Sequence, residues 1–183
     1  MSDMSQGPGW WQASDGKWYP PEQAPGGAPS GGASGELADW GQRAIGILID
    51  FVTVVVLWFI AIIITFVFSA ISSTLGALVG LVLYLALAVV WLYYGFLVGA
   101  RGYSPGMAIQ GLKCVSAETG QVIGGGMGVV RTILHIIDSL ICYIGWLFPL
   151  WDEQRQTISD KIVKTHVLAN QPKQKFDLSL WKP

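Results

Sequence analysis

Arg43 and Asp50 stand at the head of a long apolar run, spaced so that a helix would place both on one face with Asp39, Gly46 and Thr53. An arginine near the end of such a helix can snorkel to the interface, but Asp50 lies roughly 10 Å deeper at 1.5 Å rise per residue. A carboxylate at that depth costs about 2.5–3.5 kcal/mol on insertion scales and is a functional-site candidate for that reason. Two roles are open to it: binding a proton or cation, or pairing with an arginine to lock helices together. A second set, Arg131, His135, Asp138 and Cys142, recurs at helical spacing along a later apolar segment. His135 has an unperturbed pKa near neutrality and so could relay a proton, or it could be an ordinary polar-face residue at the interface.

The elements that must position these groups are helices of membrane length. Residues 51–100 contain no Asp, Glu, Lys or Arg. They hold two apolar runs, one from just after Arg43 to Phe68 and one from Leu75 to Ala100, around a polar break at Ser69–Thr74. About 20 apolar residues cross a bilayer core, so the expected fold is an all-α integral membrane protein built on a transmembrane hairpin. Composition agrees, with 52% hydrophobic and 13% charged residues and a mean hydropathy of +0.48. The lipid bilayer is the implied partner, and a net charge of −1 offers no basic surface for nucleic acid. In the second run, Gly76 with Gly80 and Gly95 with Gly99 provide the small-residue spacing that lets helices approach closely, and Trp91, Tyr93 and Tyr94 fit an aromatic belt. Cys114 and Cys142 sit in no disulfide or zinc pattern, and no cofactor fingerprint is present. The acidic, Gly/Pro-rich opening is unlike a signal peptide, so the first helix is expected to act as its own insertion signal.

Around this core the chain divides into a Trp-rich module at 1–22, a Pro/Gly/Ala/Ser linker at 23–35, a membrane domain at 36–170 and a polar tail at 171–183. Asp15-Gly16 between Trp10/Trp11 and Trp18/Tyr19 leaves two readings open, a tiny aromatic hairpin or a sticky disordered tail, and the linker composition predicts disorder. Between the second and third apolar segments, a turn at 101–106, a strand at Ile109–Ser116 and a return at Gln121–Ile123 predict a small β-hairpin outside the bilayer. Gly124–Gly128 reads as a flexible hinge that lacks the residues of a phosphate loop. The third segment, Val129–Trp151, is either a spanning helix or a re-entrant or interfacial element broken near Tyr143–Gly145. The loop between the first two helices has no Lys or Arg, which favours cytoplasmic Arg43 and Arg101. A third crossing would then export Arg155, Lys161, Lys164, Lys173 and Lys175, so the re-entrant reading with both termini cytoplasmic is preferred. Ile162–Ala169 is expected as a strand that pairs with the loop hairpin in a small cytoplasmic β element.

These residues resemble the RDD family of bacterial membrane proteins, named for one arginine and two aspartates. Arg43 and Asp50 match the first two letters, and Asp160, within Arg155-Gln156-Thr157-Ile158-Ser159-Asp160, matches the third. Gly102–Gly106, Gly111–Val115 and the stretch from Arg131 to Asp138 also look like family segments, over about Asp39–Ala169 in all. Met107 departs from the pattern, where a basic residue is frequent. The resemblance implies a multi-pass plasma-membrane domain whose activity is mostly unassigned, with cation or proton exchange proposed for some members.

Two functions follow as expectations. In one, Asp50, Arg43 and the Arg131/His135/Asp138 face form a titratable cluster that exchanges a proton for a small cation, in a homo-oligomer because one hairpin is too small to enclose a path. In the other, Arg43, Asp50 and Asp160 make a structural ion-pair network, and the Trp-rich module recruits a protein partner. An enzyme is not expected, since no activated nucleophile or metal-ligand spacing is present.

Overall fold

Asp39 opens the first long helix through a capping box, its side chain accepting from Gln42 N while the Gln42 side chain accepts from Asp39 N. In the computed structural model, which describes residues 11–12, 17–19 and 35–183, this helix α1 runs Trp40–Ile71. It is followed after one extended residue, Ser72, by α2, Ser73–Arg101. The polar break is thus shorter than expected, because Ser72 alone reverses the chain and Ser73 already starts a helix. Both helices are long and apolar enough to cross a membrane, and their outer faces remain bare, with Phe66 74% exposed. They pack through small residues: a Cβ on Gly80 would lie 3.1 Å from Thr65 Cγ2.

The short β1, Trp11–Gln12, pairs antiparallel with β2, Trp18–Tyr19, in the register Trp11 to Tyr19, so of the two readings the aromatic hairpin is present. The Asp15-Gly16 turn and residues 23–34 of the linker expected to be disordered lie outside the described residues.

The predicted loop hairpin is replaced by a helix and a strand. Ser104 caps and Pro105 opens α3, Pro105–Gln110, and Gly111 stops it in the left-handed region at φ +69°. The strand that follows, β3, is only Lys113–Ser116. Gln121 accepts one hydrogen bond from Ser116 N but forms no strand with it. The third apolar segment begins earlier than expected, as α4, Gly125–Leu140, so the glycine run belongs to a helix and is not a hinge. Two glycines of the run serve close approach: the N-cap Gly124 donates its N–H to Gly99 O, and a Cβ on Gly128 would collide with Gly95 O and lie 2.5 Å from Gly99 N. Cys142 and Tyr143 take positive φ and break the segment, which removes Cys142 from the polar helical face. Helix α5, Ile144–Leu147, with a 3-10 turn over Phe148–Leu150, leaves at 108° to α4. Counted as one span, this bent pair would be a third crossing.

Thr157 and Asp160 form a second capping box that starts α6, Ile158–Val163, which occupies the first part of the strand expected at 162–169. Lys164 ends it at φ 53°, and β4, Thr165–Leu168, pairs antiparallel with β3, as expected for the two strands, with Cys114 facing Val167. On the other edge of β4, Leu37 bridges Leu168 and Ala38 N donates to Val167 O. The sheet therefore ties the start of α1 to both strands. The C-terminal residues dock against α2: Leu180 is buried, Tyr93 donates to Trp181 O, Trp181 Nε1 donates to Tyr94 Oη, and Arg101 donates to the carbonyls of Ser179, Leu180 and Lys182. Tyr93 and Tyr94, two residues of the expected aromatic belt, hold the tail.

Candidate functional site: a buried arginine and aspartate cluster

Arg43 does not pair with Asp50. Seven residues along one face separate them by about 10 Å, too far for an ion pair. Arg43 instead turns to α6, where its Nη2 reaches Asp160 Oδ2 at 2.5 Å and its Nη1 donates to Arg155 O at 2.6 Å. The other oxygen of Asp160 accepts from Arg131, with Nη2 at 2.6 Å and Nε at 2.8 Å, and from Thr165 Oγ1 at 2.9 Å. Thr157 N donates to Oδ2 through the capping box. One carboxylate with 0% exposure thus bridges two guanidiniums from two different helices. Burial by itself would raise the Asp160 carboxyl, but the Arg131 and Arg43 charges overturn that effect and hold it well below the usual carboxylate range.

Among the described residues Asp50 meets two neutral donors, the N-cap Ser104 Oγ at 2.5 Å and Gly106 N in the first turn of α3 at 2.7 Å. Gly106 is required here because a Cβ would collide with Gly46 O and lie 3.0 Å from Asp50 Oδ1. Asp138 plays a parallel part on α4. It accepts from Ile158 N at 3.1 Å, from Ser159 Oγ and from His135 Nδ1 at 2.7 Å. A carboxylate on Nδ1 makes that nitrogen the N–H and leaves Nε2 as the basic one. The ring stacks on Trp146 at 4.4 Å between centroids.

A cavity of about 320 Å³ lies beside this cluster, lined among others by Arg43, Asp50, Tyr94, Met107, Arg131 and His135. The structure therefore brings together the residues that the sequence singled out on α1, α4 and α6, with Asp138 and Asp160 behind the cavity wall. It adds partners that the sequence reading passed over: Ser104, Thr157, Ser159, Thr165 and the Arg155 carbonyl. The Ser-Pro and Thr-x-x-Asp helix starts were the available signals for the first two. Among the described residues no three His, Cys, Asp or Glu side chains come together to hold a metal ion.

An apolar helical hairpin fastened to short capped helices by a buried Arg–Asp–Arg bridge defines a small helical domain of membrane type. The RDD family profile matches residues 37–164, and the chain belongs to that family. Over 72 residues it is 53% identical to the proline-rich antigen of Mycobacterium leprae (strain TN), covering 39% of this chain and 29% of that protein. Proline-rich antigen homologs of Mycobacterium tuberculosis, strains CDC 1551/Oshkosh and ATCC 25618/H37Rv, match with the same identity and length, over 30% of their chains. The alignment thus spans less than a third of these relatives. No solved structure matches the chain.

Proposed function

We propose that the protein exchanges a proton for a small monovalent cation across a bacterial plasma membrane, with Asp50 as the carrier. The observation that carries this reading is the contrast in partners: Asp50 lines the cavity and is held by a hydroxyl and an amide, with no arginine to neutralise it. The pairing of charges supports it. Arg43 and Arg131 both pair with Asp160, and Asp138 bonds His135, which leaves Asp50 as the carboxylate of the cluster held by neutral donors and open to one proton or one monovalent cation. His135, with Nε2 as its basic nitrogen, is the relay candidate beside it. The hairpin spans the membrane twice, the bent α4–α5 pair re-enters without crossing, and both termini lie in the cytoplasm. The basic residues at 155–175 and the loop between α1 and α2, free of Lys and Arg, favour that orientation. A homo-oligomer encloses the path.

Proton flux in proteoliposomes under imposed Na⁺ and K⁺ gradients tests this, comparing the native chain with Asp50→Asn at matched insertion. Flux that vanishes in the variant supports the carrier role. A folded native protein that moves no protons under either gradient eliminates it. The paired β1 and β2 strands favour a second reading, a membrane adaptor that captures a protein partner through its Trp-rich module. That reading requires capture by the full chain which a chain lacking residues 1–35 loses.

A further inference from the structure

The spacing of Arg43 and Asp50 on α1 recurs as Arg131 and Asp138 on α4. Around the two pairs the chain repeats a series of local devices in the same order. Each aspartate accepts a hydroxyl and a backbone N–H from the start of a short helix, at positions one or two residues apart in the two halves: the N-cap Ser104 Oγ and Gly106 N for Asp50, Ser159 Oγ and Ile158 N for Asp138. Both short helices are 6 residues long, open at a hydroxyl N-cap, Ser104 or Thr157, and close on a left-handed residue, Gly111 or Lys164. Another left-handed residue precedes each N-cap by the same step, Gly102 and Arg155. A strand of 4 residues follows each helix. The counterparts keep one constant offset: Gly102 with Arg155, Ser104 with Thr157, Gly111 with Lys164, Cys114 with Val167.

The sheet provides an independent geometric check. When a two-fold axis relates two antiparallel strands, the residue on the axis faces its own counterpart. Cys114 faces Val167, the counterpart assigned by the offset of the helix caps. The sheet edges agree. Ala169 N donates to Glu36 O just ahead of α1, and Ser116 N, at the counterpart position, donates to Gln121 O just ahead of α4. Each lead-in segment pairs with the strand of the other half, as a two-fold exchange requires.

We propose that the domain consists of two copies of one unit, a helical hairpin followed by a short capped helix and a strand, and that Arg43 and Arg131 form a shared cradle for one carboxylate that either copy can supply. The first hairpin is α1–α2. The second is α4 with α5 and its 3-10 turn, shortened so that the 108° bend is its hairpin turn. The counterpart of Asp160 is Met107. Each is the third residue of its short helix, and each donates its backbone N–H to the N-cap hydroxyl, Met107 to Ser104 at 3.3 Å and Asp160 to Thr157 at 3.1 Å. Met107 lines the cavity with both guanidiniums, so the first copy lacks only the carboxylate. This arrangement is independent of whether anything is transported.

The test is a charge transplant in the full-length chain in detergent. Thermal unfolding is compared for the native protein, Asp160→Asn, Asp160→Asn with Met107→Asp, and Asp160→Asn with Gln110→Asp, a carboxylate on the same short helix at a position whose counterpart is Val163 and not Asp160. The expected result is a lower melting temperature in Asp160→Asn, of which Met107→Asp restores about half or more and Gln110→Asp restores none. If Asp160→Asn gives no folded protein, the same comparison is read as recovery of monodisperse protein on size exclusion. Failure of Met107→Asp to restore anything, equal recovery by Gln110→Asp, or no loss in Asp160→Asn overturns the proposal.

Discussion

Asp160 and Asp50 are the two aspartates on which the resemblance in the sequence rests, and they are satisfied in opposite ways. Asp160 is sealed between two guanidiniums, a hydroxyl and an amide, with 0% exposure. Asp50 has a hydroxyl, an amide and an adjoining cavity. A carboxylate whose charge two fixed cations compensate gains nothing from a proton, so Asp160 belongs to the scaffold. One held by dipoles keeps a reason to bind a proton or cation. The motif therefore divides between a lock that joins α1, α4 and α6 and a group that remains available.

The largest effect that can break this division is the loss of the lock. Asp160→Asn leaves Arg43 and Arg131 buried without a counter-charge, and removing one partner of a buried ion pair costs about 3–5 kcal/mol. Denaturant or thermal unfolding in detergent measures it, and a loss below about 1 kcal/mol would place Asp160 among exposed pairs that contribute little. The pH dependence has a definite sign. The folded Asp160 carboxyl sits well below its unfolded pKa of about 3.9, so its contribution is fully present above that value and is lost as pH falls through the folded pKa. The difference in stability between the native protein and Asp160→Asn should therefore hold from pH 7 to about pH 5 and shrink below about pH 4.

Next in size is the seam that holds α4 against α2. Gly128→Ala puts a Cβ into Gly95 O and against the Gly99 backbone, where no flexible side chain can yield, and overpacking of this kind costs about 1–3 kcal/mol. Gly126→Ala, two residues earlier in the same helix, meets nothing within 4 Å and should gain up to about 1 kcal/mol from helix propensity. Opposite signs in the two unfolding curves would confirm packing as the purpose of the run, and equal signs would return it to a hinge.

That run shows where sequence and structure part. The two long helices were legible because an uninterrupted apolar run of this length has few alternatives. Asp160 was legible only through the motif, since nothing in Arg155–Asp160 by itself says that a carboxylate there is buried. Gly124–Gly128 was misread because glycine lowers helix propensity in isolation, while the gain from backbone contact with Gly95 and Gly99 depends on residues far away in the chain. The α3 helix was missed for a local reason: alternating apolar residues at 109–115 suggested a strand, and the Ser104 cap with Pro105 behind it overrode them. The choice of partner by Arg43 was not legible at all, because it depends on the fold bringing α6 to the head of α1.

The smallest effect sharpens the comparison most. Asp50→Asn can keep both hydrogen bonds: its amide oxygen accepts from Gly106 N, and its NH₂ can donate to Ser104 Oγ, a hydroxyl able to act in either sense. What it loses is charge assistance to two bonds, worth about 0.5–1.5 kcal/mol. Asp138→Asn should cost more, because three donors converge on that carboxylate: the amide oxygen can accept from Ile158 N and the NH₂ can donate to the Ser159 hydroxyl, which leaves the His135 Nδ1–H facing an NH₂ that cannot accept from it. Unfolding of the two variants side by side measures the difference. If Asp50→Asn destabilises as strongly as Asp138→Asn, both aspartates are structural clamps and the availability of Asp50 is lost. If it is the mildest substitution in the cluster, the fold does not depend on its charge, and the charge is free to act in binding as proposed.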